Sequence, residues 1–223
     1  HLGDLTAFGS IDSEWENIDK YLQRLRNKDI PIYPAMGNHD YMIFKSGAVA
    51  NFQKRFPDIT SSWYKVIIDS IAVIILNSNY YRLEDYKIKE QIQWLESTLH
   101  ELENDAAVKF LIFALHPSPY TNSTVVDPSE DVQNDFVPKY LNSRKSILFL
   151  SGHSHAAEHF KINRKDFLVC GGGGGLQHKL LIDSNQRWHD HLPLKTAKRM
   201  FHHLLCERRE NILIIRVMML NDD

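Results

Sequence analysis

Three short apolar runs in this chain each end at a cluster of side chains that bind metals or move protons. Residues 30–36 end at Gly37-Asn38-His39-Asp40, residues 109–115 at His116, and residues 147–150 at Ser151-Gly152-His153-Ser154-His155. Runs this short, bounded by turn residues, read as buried strands. In an open α/β sheet the C-terminal strand ends line the functional crevice, so the clusters meet at one place if their strands are parallel neighbours. A fourth pair of this kind, Gly3-Asp4, opens the chain.

The intervening segments supply the helices such a sheet needs. Residues 13–28 carry Trp15, Ile18, Leu22 and Leu25 at spacings of three and four, with acidic residues early and basic ones late, which predicts an amphipathic helix. Further helices are predicted at 44–56, through Ile88, Ile92, Leu95, Leu99 and Leu102, and at 131–141. Residues 64–68 and 71–77, separated by Asp69-Ser70, predict a β-hairpin, and strands are predicted at 158–162, 166–170, 200–207 and 212–220. Five glycines at 171–175 read as a loop flanking a phosphate crevice or as a flexible turn. The turn is preferred, because no P-loop Lys-Ser or Lys-Thr follows. No repeat or low-complexity linker divides the chain, so one α/β domain over residues 1–223 is expected, with helices packed outside two sheets.

A formal net charge of −2 supplies no global field toward nucleic acid or an anionic membrane, so an anionic substrate must be held locally. Lys195, Lys198 and Arg199 keep a nuclease in play, since that activity needs a basic track. The apolar stretches fall far short of the ~18 residues of a membrane span. Cys170 and Cys206, with no CxxC partner, read as small buried hydrophobes. The chain opens without an initiator Met or an apolar leader core, so localisation is not legible.

Carboxylate, amide oxygen and imidazole without thiolate suit Mn, Fe, Zn or Co. His153 and His155 lie two apart, with Gly152 before and Ser154 between. An irregular loop or a regular strand would point both rings at one place. One histidine at a strand end is more often a hydrogen-bonded core or surface group than a ligand; four clusters in this order change the odds. With Gly3-Asp4, Gly37-Asn38-His39-Asp40, His116 and Gly152-His153-Ser154-His155, the sequence resembles the calcineurin-like metallophosphoesterases. That family's signature runs D-x-H, GD, GNH[DE], a lone His after a strand, then GHxH. The match covers most of the chain. Its D-x-H strand would precede residue 1, so the domain is expected to be N-terminally incomplete, without its first strand.

The resemblance implies a four-layer αββα sandwich of two mixed β-sheets flanked by helices. It also implies a hydrolase of phosphomonoesters or phosphodiesters that uses two divalent or trivalent ions (Mn, Fe, Zn or Co) and a water bridging them. Asp4 would bridge the ions, Asn38, His116 and His153 would complete one of them, and His155 would serve the other. His39 is implied as the general acid or transition-state stabiliser, and Asp40 as the carboxylate that orients its ring. Ala7 stands where purple acid phosphatases have a metal-binding Tyr, which favours the cyclic-nucleotide phosphodiesterase-like branch. The rivals are a binding or scaffold module on the same fold, against which the intact GNHD and GHxH sets argue, and a nuclease. The partner implied is a small phosphorylated substrate, with nucleic acid disfavoured. His178, His189, His191, His202 and His203 are expected in loops or at the surface.

Overall fold

The computed structural model describes residues 1–193 and 195–220. Its central sheet has six strands, β1 (Tyr64–Ile68), β2 (Ile71–Ile75), β3 (Phe110–Leu115), β4 (Ser146–Ser151), β5 (Ala157–Ile162) and β6 (Lys165–Cys170), in the order β1-β2-β3-β4-β6-β5. Strands β2, β3, β4 and β6 run parallel, while antiparallel hairpins close both edges. The β5–β6 hairpin turns through Asn163 and Arg164, both left-handed, as a type I′ turn requires.

Alternation along the strands sorts side chains to two faces. Ile74, Leu111, Phe113, Phe149 and Phe167 pack toward α3 (Asp85–Asn104), α4 (Glu130–Asp135) and α5 (Val137–Asn142), meeting Leu95, Leu102, Phe136 and Tyr140. From the opposite face, Ile112, Leu148 and Leu168 meet Leu204, Leu213 and Ile215 of a second sheet, β7 (His202–Arg209) with β8 (Ile212–Met219). The predicted pair of sheets is therefore present, but the second is a two-stranded antiparallel ribbon rather than a mixed sheet. A smaller core of Trp15, Leu22, Met36, Tyr41, Phe52 and Phe56 joins α1 (Glu16–Arg26) to α2 (Lys45–Arg55). Arg55 ties it together, lying over the Trp15 ring and pairing with Asp12 and Asp19.

Four expectations need correction. Residues 30–36 are not part of either sheet; Pro31 and Pro34 have no N–H to give, and the segment's pairing is limited to residue 1, where Ala35 N–H donates to the His1 carbonyl at 2.8 Å and the His1 amino group to the Tyr33 carbonyl at 3.1 Å. The helix expected at 131–141 breaks at Phe136, where Pro138 in the first turn of α5 removes a donor. The first predicted helix begins as a 3₁₀ turn, Asp12–Trp15. Cys206 is exposed on β7 and Cys170 is half-buried, since the ribbon leaves one face open. Among the described residues no helix is long and apolar enough to cross a membrane.

Phe113 is fully buried and its ring meets those of Tyr140 and Phe149. Phe113→Ala should lower the unfolding free energy by ~3–5 kcal/mol in urea titrations. A loss under ~1 kcal/mol would contradict this packing.

Candidate metal centre

Sheet register does most of the assembly. Leu115 at the end of β3 pairs with Ser151 at the end of β4, so the next residues, His116 and Gly152, emerge side by side, and Gly152 N–H donates to the His116 carbonyl at 3.0 Å. His153 then adopts a left-handed backbone, φ 66°, which an L-residue other than glycine seldom does. This turn brings its ring against that of His116, with centroids 5.0 Å apart. Asn79, just beyond β2, donates to the Met36 carbonyl and anchors the segment that leads into Gly37-Asn38-His39-Asp40.

Two aspartates hold Gly3-Asp4 against that turn. The buried Asp40 carboxylate accepts main-chain N–H bonds from Asp4, Leu5 and Gly37 at 2.8 Å and from Thr6 at 3.2 Å. Asp4 Oδ1 in turn accepts from His39 N–H at 2.8 Å. Only glycine permits so close an approach: a Cβ on Gly37 would fall 2.1 Å from Asp4 Oδ1, and Gly3, at φ +91°, would place one 2.6 Å from the His116 ring. Burial, with the nearby charge of Asp4, pushes Asp40 up to about 6, with the Gly37 and Thr6 N–H groups acting the other way, so the carboxylate is ionised at neutral pH.

Four donor groups converge on one point. His116 Nε2 lies 3.0 Å from Asn38 Oδ1, 3.1 Å from Asp4 Oδ2 and 3.2 Å from His153 Nδ1. The other nitrogen of His116, Nδ1, donates to the Leu2 carbonyl at 2.6 Å, which leaves Nε2 as a lone-pair site in the neutral ring. Burial, then the His116 ring, push His153 down to about 4, so its ring offers a lone pair at neutral pH. Burial works against ionisation of Asp4, yet its hydrogen bond and charge interaction with His116, with the His39 N–H, hold it below the ordinary carboxylate range. Acceptors facing one another at these distances need a shared proton or cation. Ligands bonded to one ion at ~2.0–2.2 Å sit ~3 Å apart at angles near 90°, so this donor set fits a transition-metal ion. Asp4, His116 and His153 are also the one group of three His, Cys, Asp or Glu side chains, among the described residues, close enough together to hold an ion. His155 lines the same cleft outside this group: its Nδ1 donates to the Leu176 carbonyl at 2.9 Å, and its ring stacks on His178 at 4.4 Å.

The sequence profile of the calcineurin-like phosphoesterases matches residues 1–157. The chain belongs to this family. No curated protein sequence matches it. Among solved structures, similarity extends to GAP50, the anchor in the inner membrane complex of Plasmodium (TM-score 0.68, 13% identity, 98% of this chain and 82% of that one). A purple acid phosphatase, PPD1 from yellow lupin (Lupinus luteus) seeds, is similar over 98% of this chain but 43% of its own length (TM-score 0.73, 18% identity). A dimetal phosphatase from Danio rerio is similar over 70% of this chain and 65% of its own (TM-score 0.52, 10% identity). At these identities the likeness is one of fold.

In this phosphoesterase the expected pairing of Asp40 with the His39 ring is not formed. Asp40 spends its oxygens on four main-chain N–H groups, while His39 Nδ1 meets the Ala7 carbonyl at 3.0 Å. The five-glycine segment turns at residues 172–173, but Gly171, Gly173, Gly174 and Gly175 line the cleft, which matches the loop flanking a crevice rather than the preferred flexible turn between tail strands. His178 lies in a loop, as expected, but is buried, its Nδ1 accepting from the His155 N–H, whereas His202, expected in a loop or at the surface, is buried at the start of β7. Glu158 has no local signal in the sequence, where a carboxylate in a strand looks like any surface charge. It is buried, accepting from Thr121 Oγ1 at 2.6 Å and Asn122 N–H at 2.7 Å, and fastens the segment after His116 to the strand after His155.

Asp40→Ala would strand four N–H groups, each costing ~1–3 kcal/mol when buried and unpaired. A loss of at least ~3 kcal/mol in stability, together with weaker zinc binding by calorimetry, is expected; an unchanged melting curve would contradict the role assigned to Asp40.

Burial pushes Glu158 from 4.5 to about 7, opposed by the Thr121 and Asn122 hydrogen bonds. The folded state thus binds more protons than the unfolded one in that interval. The contribution of Glu158 to stability is present below pH 4.5 and lost as pH rises through about 7. Glu158→Gln should remove this part of the decline, so the variant gains on the wild type across the interval in pH-dependent denaturant titrations. Parallel curves would refute the assignment.

Proposed function

We propose that this chain hydrolyses phosphate esters at the centre formed by Asp4, Asn38, His116 and His153. The observation that carries the reading is the convergence of their donor atoms at 3.0–3.2 Å around His116 Nε2, in a cleft that also contains His39. A cation held there, drawn from Mn, Fe, Zn or Co on donor chemistry, would supply Lewis-acid charge that lowers the pKa of a water and neutralises phosphoryl oxygens. We read the site as dinuclear: Asp4 would be shared by both ions, and His155, whose Nε2 is left free by the bond of Nδ1 to the Leu176 carbonyl, would serve the second.

The residues around the ion divide the remaining work. Water oxygen forms the new P–O bond, the ester P–O bond breaks, and the departing oxygen needs a proton. His39 is suited to give it as the imidazolium: its Nδ1–H is held by the Ala7 carbonyl, which leaves the proton on Nε2 as the one available to the substrate, and the ring is reprotonated from solvent. Asp40 acts at one remove, holding Asp4 and the Asn38-His39 turn in register.

Within the family, Ala7 lines the cleft three residues after Asp4, so this position offers no phenolate to an ion. That supports the cyclic-nucleotide phosphodiesterase-like branch over the purple acid phosphatases, and leaves monoesters and diesters both open as substrates. A nuclease is disfavoured because Arg199 is buried against Asp190 rather than presented beside Lys195 and Lys198. The competing reading is a scaffold on the same fold, favoured by the likeness to GAP50, an anchor in a membrane complex; the convergence of Asp4, Asn38, His116 and His153 weighs against it.

His39→Ala should reduce turnover of an aryl phosphate by ~10²–10⁴ while metal content stays constant. Asn38→Ala should instead reduce metal occupancy. The reverse pattern would invert these roles, and metal-loaded wild type without hydrolysis of any ester would favour the scaffold.

A further inference from the structure

The cleft at the metal centre has a volume of about 440 Å³, and two features of its wall bear on what it accepts. The first is charge. No lysine or arginine stands among the described residues that line it. A second or third phosphate, or a nucleic-acid backbone, is ordinarily matched by such cations. Here an added phosphate would lie near Asp4 with no lysine or arginine among the described lining residues to match it.

The second feature is the glycine segment. Its ends are pinned to the site: a Cβ on Gly171 would fall 1.9 Å from the Ser154 carbonyl oxygen, and one on Gly175, at φ +74°, would fall 2.7 Å from the His155 ring. Its middle is bare. Gly173 and Gly174 are exposed, line the cleft, and a Cβ on either meets nothing within 4 Å. Steric need for glycine therefore explains Gly171 and Gly175 but not Gly173 and Gly174. The same cleft is lined by Leu5, Ala7 and Ile18, which offer an apolar surface and no hydrogen-bonding side chain.

We infer that the ester accepted at this centre carries an uncharged, apolar alcohol or phenol, which lies on the bare backbone of Gly173 and Gly174 and against Leu5, Ala7 and Ile18. The inference rests on the hydrolase reading and narrows its substrate class. A flat group can approach a backbone without side chains closely, and its burial against apolar walls supplies the binding that cations supply elsewhere.

Calorimetry on the zinc-loaded protein tests it with non-hydrolysable probes. 1-Naphthylphosphonate should bind at least ~10-fold tighter than methylphosphonate and ADP. Gly174→Leu should keep the melting temperature and zinc affinity of the wild type and lose that preference, with Gly173→Leu as the second variant should the first misfold. Gly174→Lys should raise ADP affinity. ADP binding as tightly as the naphthyl probe, or a preference that survives in the leucine variants, would overturn the inference. Naphthylphosphonate binding in the expected order with no ester hydrolysed would instead sink the hydrolase reading alone.

Discussion

The centre depends on one buried carboxylate. Asp40 gathers the N–H groups of Asp4, Leu5, Thr6 and Gly37, so two segments more than thirty residues apart in sequence are fixed against each other before any cation binds. Asp4 returns the arrangement by accepting from the His39 N–H. Charge-assisted bonds of this kind are about twice as strong as neutral ones. They also offset the cost of burying a carboxylate, which otherwise drives it toward protonation. The left-handed backbone of Asp4, at φ 56°, is held by the same contacts.

The other half of the site follows from the sheet. Parallel pairing of β3 with β4 sets His116 beside Gly152, and the left-handed turn at His153 brings its ring back toward that of His116. Behind this edge, Phe113, Phe149, Phe167 and Tyr140 form a connected aromatic packing that fixes the strands. Rigid elements thus place two of the proposed ligands, His116 and His153, and the carboxylate-tied segments place the other two, Asp4 and Asn38. Glu158 and His178 brace the far side, where His155 stands.

Much of this was legible in the sequence because strand ends and ligand chemistry are local signals. The runs before His116 and Ser151, the hairpin over 64–68 and 71–77 and the long helix α3 all appear where their periodicity places them. What the sequence hid was tertiary. Asp40 beside His39 suggests a side-chain pair, whereas its partners are main-chain groups whose position is set only by the folded loop. The glycines at 171–175 look like a turn until the fold presses two of them against Ser154 and His155. His178 resembles any tail histidine, and its burial depends on the stack with His155. Residues 30–36 have the composition of a strand, yet they pair only with residue 1 and join neither sheet.

The claim on which all of this turns is that Asp4, Asn38, His116 and His153 share one ion. Crystals of the protein grown with zinc, measured at the zinc absorption edge, test it directly. The account predicts an anomalous peak bonded to these four residues at ~2.0–2.2 Å, with His155 facing any second peak. Zinc bound elsewhere at saturating concentration, with the four donors still closed on one another by hydrogen bonds, would contradict it.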